Sequence, residues 1–159
     1  MGFEKTISFL KRHMKGEAPS GMTLQQKINK ILNENRDFLE ELLKTQLAEG
    51  RDRYDKPVTI TDEDGERTFY KYRTILRKGR EGTGLGAHIA WITNYMSGSF
   101  YSSIEARVYG TKFSFSSDVP YYDKIVFRSG DKIMHLSDSS MKILMEEIIR
   151  PQLMAMNNV

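Results

Sequence analysis

A turn and a hydrophobic register that agree with each other constrain this chain most. Residues 104–117 read IEARVYGTKFSFSS. Gly110-Thr111 fits a two-residue turn with glycine first, the type II′ arrangement, whose twist matches that of the strands it joins. Counting outward from it pairs Tyr109 with Lys112, Val108 with Phe113 and Ala106 with Phe115. Ile104, Ala106, Val108, Phe113 and Phe115 then share one face, and Glu105, Arg107, Ser114 and Ser116 share the other. A slip of one residue would turn every apolar side chain to water. The segment therefore predicts a hairpin with one face to bury.

Two long amphipathic stretches are available to cover that face. Leu24, Ile28, Ile31, Leu32, Leu39, Leu42, Leu43 and Leu47 form a stripe from 24 to 47, opened by Thr23 with Gln26 in capping-box spacing and closed by Gly50. As one helix it would be about 40 Å long at roughly 1.5 Å per residue, so it either packs inside the chain or projects onto a partner. At the other end, Ser137 is a good N-cap for a helix running to about 157. Met141, Leu144, Met145, Ile148, Ile149 and Leu153 supply its buried side, and Pro151 should kink or interrupt it. Upstream, Phe3, Ile7, Leu10 and Met14 recur at helical spacing before GEAPSG at 16–21 breaks the pattern.

Between these lie shorter pieces. Residues 51–57 form a polar connector. VTIT, DEDG and ERTFYKY at 58–72 read as a second hairpin turning on Asp64-Gly65. Glycines at 79, 82, 84 and 86 mark a loop, 87–96 is apolar and fits either a strand or a helical turn, and 128–132 is a turn around Gly130. The fold class expected is α+β: N-terminal helices, a small antiparallel β-sheet containing the 104–117 hairpin, and a C-terminal helix packed on the sheet. Residues 1–50 form the helical part and 51–159 the α+β core.

Composition narrows the chemistry. Cysteine is absent, which removes disulfides, thiolate metal sites and a cysteine nucleophile. His13, His88 and His135 are far apart, so there is no local zinc motif. The net charge of +3 is mild and permits contact with nucleic acid without demanding it. No apolar run approaches the roughly 20 residues of a membrane span. The first residues lack the apolar core and cleavage site of a signal peptide. Gly2 fits the myristoylation pattern only distantly, and an ordinary start of chain is the better reading. The expectation is a protein made in the cytoplasm, with no membrane association.

No motif assembles an active site. Gly82, Gly84 and Gly86 match neither phosphate-loop spacing, and no lysine follows. Asp62, Asp64 and Gly65 echo a calcium loop, but its twelfth position is Arg73 where a glutamate is required. Glu146 and Glu147 are adjacent on a helix and point apart, and Ser97, Ser99, Ser102 and Ser103 have no nucleophile-elbow context. No cofactor and no metal are expected. One stretch carries binding chemistry. Residues 67–80 hold Arg67, Lys71, Arg73, Arg77, Lys78 and Arg80 without an acid, interleaved with Phe69, Tyr70 and Tyr72. Cations neutralise phosphates and aromatics stack on unpaired bases, which suits single-stranded nucleic acid or a partner contact. A solvated strand edge protected by its charges explains the same composition and is the simpler reading.

The order of elements resembles the small neck proteins of tailed bacteriophages, known as tail-completion, head–tail joining or virion-morphogenesis proteins. Their pattern is a helical N-terminal part and a Thr-Gly-X-Leu-X-X-Ser-Ile segment entering a strand pair. A Tyr-Ala element, a glycine turn and a C-terminal helix begun or broken near a proline follow. Here Ser97-Gly98-Ser99-Phe100-Tyr101-Ser102-Ser103-Ile104 is similar to the first motif, with serine for threonine and phenylalanine for leucine. The strand pair, with Val108, Gly110, Phe113 and Phe115, comes next. Tyr121-Tyr122 stands at the Tyr-Ala element, tyrosine replacing alanine. Ile125-Val126-Phe127 leads to Gly130, and Arg150-Pro151 lies in the last helix. Residues 46–52 and Lys56-Pro57 also look like the helix exit of such proteins. The similarity covers about 46–159 and is best over 97–155, while 58–96 matches poorly. It implies a structural virion protein without catalysis. Such a protein would form a ring oligomer with itself, touching portal- or connector-side and tail-side proteins, with DNA passing through the ring. A small nucleic-acid-binding module using 67–80 is the alternative.

Overall fold

Thr23 starts the first of the described helices as its spacing predicts. Its hydroxyl accepts from the Gln26 N–H at 3.2 Å, and its own N–H donates to the Gln26 side-chain oxygen at 2.8 Å. The computed structural model describes residues 21–61, 67–68, 92–94 and 98–157, with the backbone alone for 67–68. The stripe expected as one helix over 24–47 is two: α1 (Leu24–Glu34) and α2 (Arg36–Ala48). They meet at Asn35, whose φ of −120° and ψ of 34° leave the helical region. Its side-chain amide braces the junction. Nδ2 donates to the Ile31 carbonyl at 2.7 Å, beside the Asn35 N–H at 3.1 Å, and to Gln152 Oε1 at 3.3 Å, which ties the break to the C-terminal helix. The break lets both halves bury their apolar sides. Ile28, Ile31, Leu32, Leu39, Leu43 and Leu47 are all buried in one cluster, so these helices pack inside the chain.

The hairpin follows its register. Strand β3 (Ile104–Tyr109) pairs antiparallel with a partner over Lys112–Ser117, matching Ala106 with Phe115, Val108 with Phe113 and Tyr109 with Lys112. Gly110 has a φ of 61° while Thr111 does not have a positive φ, as a type II′ turn requires. Ile104, Ala106 and Phe115 are buried, whereas Val108 and Phe113 are only half-buried. The apolar pair next to the turn is covered less than the pairs farther from it. The helices α1 and α2 pack on β3, and the Glu40 carboxylate of α2 accepts from the Ala106 N–H at 3.0 Å on the strand's outer edge. The order up to this point includes a short pair, β1 (Ile60–Thr61) with β2 (Arg67–Thr68), and a single helical turn, α3 (Ser99–Ser102). The Lys112–Ser117 strand is β4.

The pairing of β1 with β2 corrects the expected turn. Ile60 faces Thr68 and Thr61 faces Arg67, a register centred on Asp64. A two-residue turn at Asp64-Gly65 would have placed Thr61 opposite Thr68. The connecting residues 62–66 lie outside the described residues, as does most of the apolar segment 87–96. Of that segment, Ile92 and Thr93 are fully buried and lie in neither a helix nor a strand.

Helix α4 (Tyr122–Ser129) runs two residues into the expected 128–132 turn before Gly130, with φ 83° and ψ 152°, ends it. A 3₁₀ turn over Asp131–Met134 follows and buries Ile133. Ser137 then caps the C-terminal helix, its hydroxyl accepting from the Ser140 N–H at 3.2 Å. That helix is continuous but changes pitch: α5 (Asp138–Ile143), a π-helical stretch over Leu144–Ile149, and α6 (Arg150–Asn157). The interruption expected at Pro151 therefore falls on the turns before it. Proline has no N–H for the preceding turn and its ring crowds that carbonyl. The Arg150 N–H reaches back five residues to the Met145 carbonyl, which widens the helix ahead of the ring. The same widening puts Leu144, Ile149 and Leu153 on the buried side and leaves Met141, Met145 and Ile148 half-buried. The helix packs chiefly on α1 and α2, and Lys27 of α1 donates to Asn157 Oδ1 at 2.7 Å at its far end. The fold is α+β, with one apolar cluster drawing on residues from both sides of position 50.

The pitch change has a measurable consequence. Ile149→Ala should cost about 2–5 kcal/mol, the range for emptying a buried isoleucine site, and Ile148→Ala less than half of that. Phe115→Ala should likewise exceed Phe113→Ala. Urea denaturation of the four variants checks this, and a larger loss at Ile148 would place the helix in an unbroken α register.

Candidate functional site

Among the described residues, a dense group of interacting polar side chains gathers where α2 ends. Gln46, fully buried, uses both ends of its amide. Oε1 accepts from the Ser137 N–H at 2.7 Å and the Ser140 hydroxyl at 3.1 Å, and Nε2 donates to the His135 carbonyl at 3.0 Å. The chain then reverses through 49–58. Gly50 turns at a φ of 67°, and the Val58 N–H returns to the Gly50 carbonyl at 2.7 Å.

Asp52, also fully buried, organises that reversal. Its Oδ1 accepts from the Tyr54 N–H at 2.9 Å and the Lys56 N–H at 3.1 Å. Its Oδ2 meets Lys132 Nζ at 2.7 Å, an approach poorly aligned for a hydrogen bond, so the attraction there is Coulombic. Burial pushes the Asp52 carboxyl pKa up, but Lys132 and the two backbone donors outweigh it and hold the group below its ordinary value. Asp55 adopts a φ of 56°, which aspartate tolerates better than most residues. Its carboxylate accepts from the Ser139 hydroxyl at 2.6 Å and the Ser139 N–H at 3.1 Å, and pairs with Arg51, which also pairs with Glu49. Burial raises its pKa, and the serine donors and Arg51 reverse that to a net lowering.

Chemically this cluster is a fastening. Among the described residues, no group of three or more histidine, aspartate or glutamate side chains could hold a metal ion. No helix among them is long and apolar enough to cross a membrane.

The residues singled out in the sequence are dispersed rather than gathered at this cluster. Gly98 begins α3 with a φ of 87°, and Ile104 is buried in β3. Val108, Gly110, Phe113 and Phe115 belong to the hairpin. Tyr121 precedes α4 and is exposed, Gly130 ends α4, and Pro151 is exposed in α6. Arg67 opens β2, while Lys71, Arg73, Arg77, Lys78 and Arg80 lie outside the described residues. The cluster itself was read only as a polar connector. Its signals were the Asp52-to-Pro57 turn composition and a glutamine within an apolar stripe. Large apolar side chains also reach the surface at Tyr54, Tyr109, Tyr121, Phe127, Ile143 and Met154. Compared with known protein families, curated proteins and solved structures, the chain finds no match.

Both carboxylates have lowered folded-state values, so their contribution is present above the unfolded aspartate value of about 3.9 and is lost as pH falls below it. Asp52→Asn should destabilise the protein by about 1–3 kcal/mol near neutral pH. The difference from the parent should shrink steadily below about pH 4. Denaturant midpoints measured from pH 7 to pH 3 check this, and a difference constant across that range would show that the charge does not matter.

Proposed function

We propose that the chain is a structural component of a tailed-phage virion: a neck or tail-completion protein that assembles as a ring between connector and tail. The observation that carries the reading is the run from Ser97 to Ile104 and the elements after it. A short helical turn leads into a hairpin, then a short helix, a glycine stop and a long helix containing a proline. That order is the one the resemblance implies over 97–155. The interior chemistry supports a scaffold role, since the buried polar groups of Gln46 and Asp52 tie segments together. Apolar side chains left on the surface supply material for contacts between subunits, and a closed ring repeats each contact around its axis. Moderate interfaces suffice there, because each subunit binds neighbours already held in place. On this reading the protein is not an enzyme and resides in the virion, with connector-side and tail-side proteins as partners.

The test is on particles. Mass spectrometry and electron cryomicroscopy of virions assembled from the genome encoding this chain should find it as a symmetric ring in the neck. Virions that lack it, or carry it outside the neck and tail, would overturn the assignment.

A further inference from the structure

Helix α4 is amphipathic in an unusual way. Its inner side is satisfied: Tyr122, Ile125 and Val126 pack on the core, and Ser129 is buried and hydrogen-bonded to Asn94 at 3.1 Å. Its outer side nevertheless carries Phe127, 84 % exposed, and follows directly on Tyr121, 40 % exposed. At about 100° per residue, Lys124 and Arg128 fall between those two rings, with Asp123 on the far side of Phe127. Both cations are exposed, and none of the ion pairs among the described residues uses them. The face is thus two aromatic rings with two available positive charges between them.

Helix α4 packs against β1, and β1 pairs with β2 so that Thr61 faces Arg67. Arg67 is the first residue of the basic, aromatic, acid-free run through Arg80. The backbone of Arg67 therefore lies one strand away from the helix that carries Phe127, across β1.

We propose that the outer face of α4 binds single-stranded nucleic acid, with Lys124 and Arg128 on phosphates and Phe127 stacked on an unpaired base. The charge favours a polyanion, since the cations outnumber the one acid on the face. The rings favour an unpaired strand over a duplex, whose bases already stack on one another. This site stands independently of the neck assignment.

Fluorescence anisotropy of the full chain with a labelled oligo(dT) of about 20 nucleotides, long enough for several base contacts, tests it. Binding should appear at low salt and weaken steeply as salt rises. Phe127→Ala should weaken it about tenfold, Phe127→Tyr should restore most of the loss, and neither should alter binding to the matching duplex. Lys124→Gln with Arg128→Gln should lower the log–log salt slope by about 1.4, the value for two phosphate contacts on a single strand. Absence of binding at low salt would overturn the proposal, as would equal loss on single strand and duplex in Phe127→Ala. So would unchanged oligonucleotide affinity in a Phe127→Ala variant whose self-association, followed by sedimentation, is lost: the face would then be a contact between copies. All the altered side chains point to solvent, so the thermal melts of the variants should match the parent.

Discussion

The buried amide of Gln46 is the interaction on which the arrangement of the other parts depends. It joins the end of α2 to the start of the C-terminal helix through the His135 carbonyl and the Ser137 N–H. Those backbone groups lie at a change of direction, between a 3₁₀ turn and a helix. In a buried place each needs a partner, and an unpaired one costs roughly 1–3 kcal/mol. An apolar residue at 46 would fill the volume and strand them. The amide both spans the gap and fixes which turn of α2 lies against Ser137, so the side-chain chemistry sets the register between two segments 91 residues apart.

The loop after α2 applies the same logic with charge. Asp52 is the only fully buried carboxylate among the described residues, and it is supported on three sides by Tyr54, Lys56 and Lys132. Lys132 belongs to the 3₁₀ turn, whose carbonyl at the same residue accepts from the Arg53 N–H at 3.1 Å. The reversal 49–58 is thereby pinned to the segment that enters the C-terminal helix, and Asp55 pins it again through Ser139. Gln46, Asp52 and Asp55 act on the same junction from one short stretch of chain, so α2, its exit loop and the last helix behave as one fastened unit.

How far these features were legible depended on whether a local rule was in force. The hairpin register could be read because turn type and side-chain alternation each specify it, and the two agreed. The capping residues Thr23 and Ser137 could be read because their hydrogen bonds close within three residues. The break at Asn35 was hidden because a stripe of leucines and isoleucines continues across it, and the side-chain amide that braces it finds its partner, Gln152, at the other end of the chain. The π-helical stretch was hidden for a related reason. Met141, Leu144, Met145, Ile148 and Ile149 fit an α-helical face with neighbours to spare, and only packing on α1 and α2 decides that Leu144 and Ile149, five apart, go in together. The Asp52 loop has turn composition but no sequence rule naming Lys132, 80 residues away, as its partner.

That division also separates the interior from the surface in what each can do. Inside, the carboxylates and the amide of the junction are drawn into contacts with the chain's own donors. Such groups hold a shape. Outside, α4 keeps its inner residues for the core and turns Phe127 to water, next to charges that no described partner neutralises. Burying that ring offers a gain from apolar area, roughly 25 cal/mol per Å², that folding has left uncollected. Both readings of the chain, as one subunit of a ring and as a holder of single strands, place function in what such a face meets, and neither asks for a reactive group within the fold. The fastened junction at Gln46 and the exposed face of α4 are then complementary: a fixed frame lets a few surface side chains keep their relative positions when a partner arrives, so less ordering entropy opposes binding.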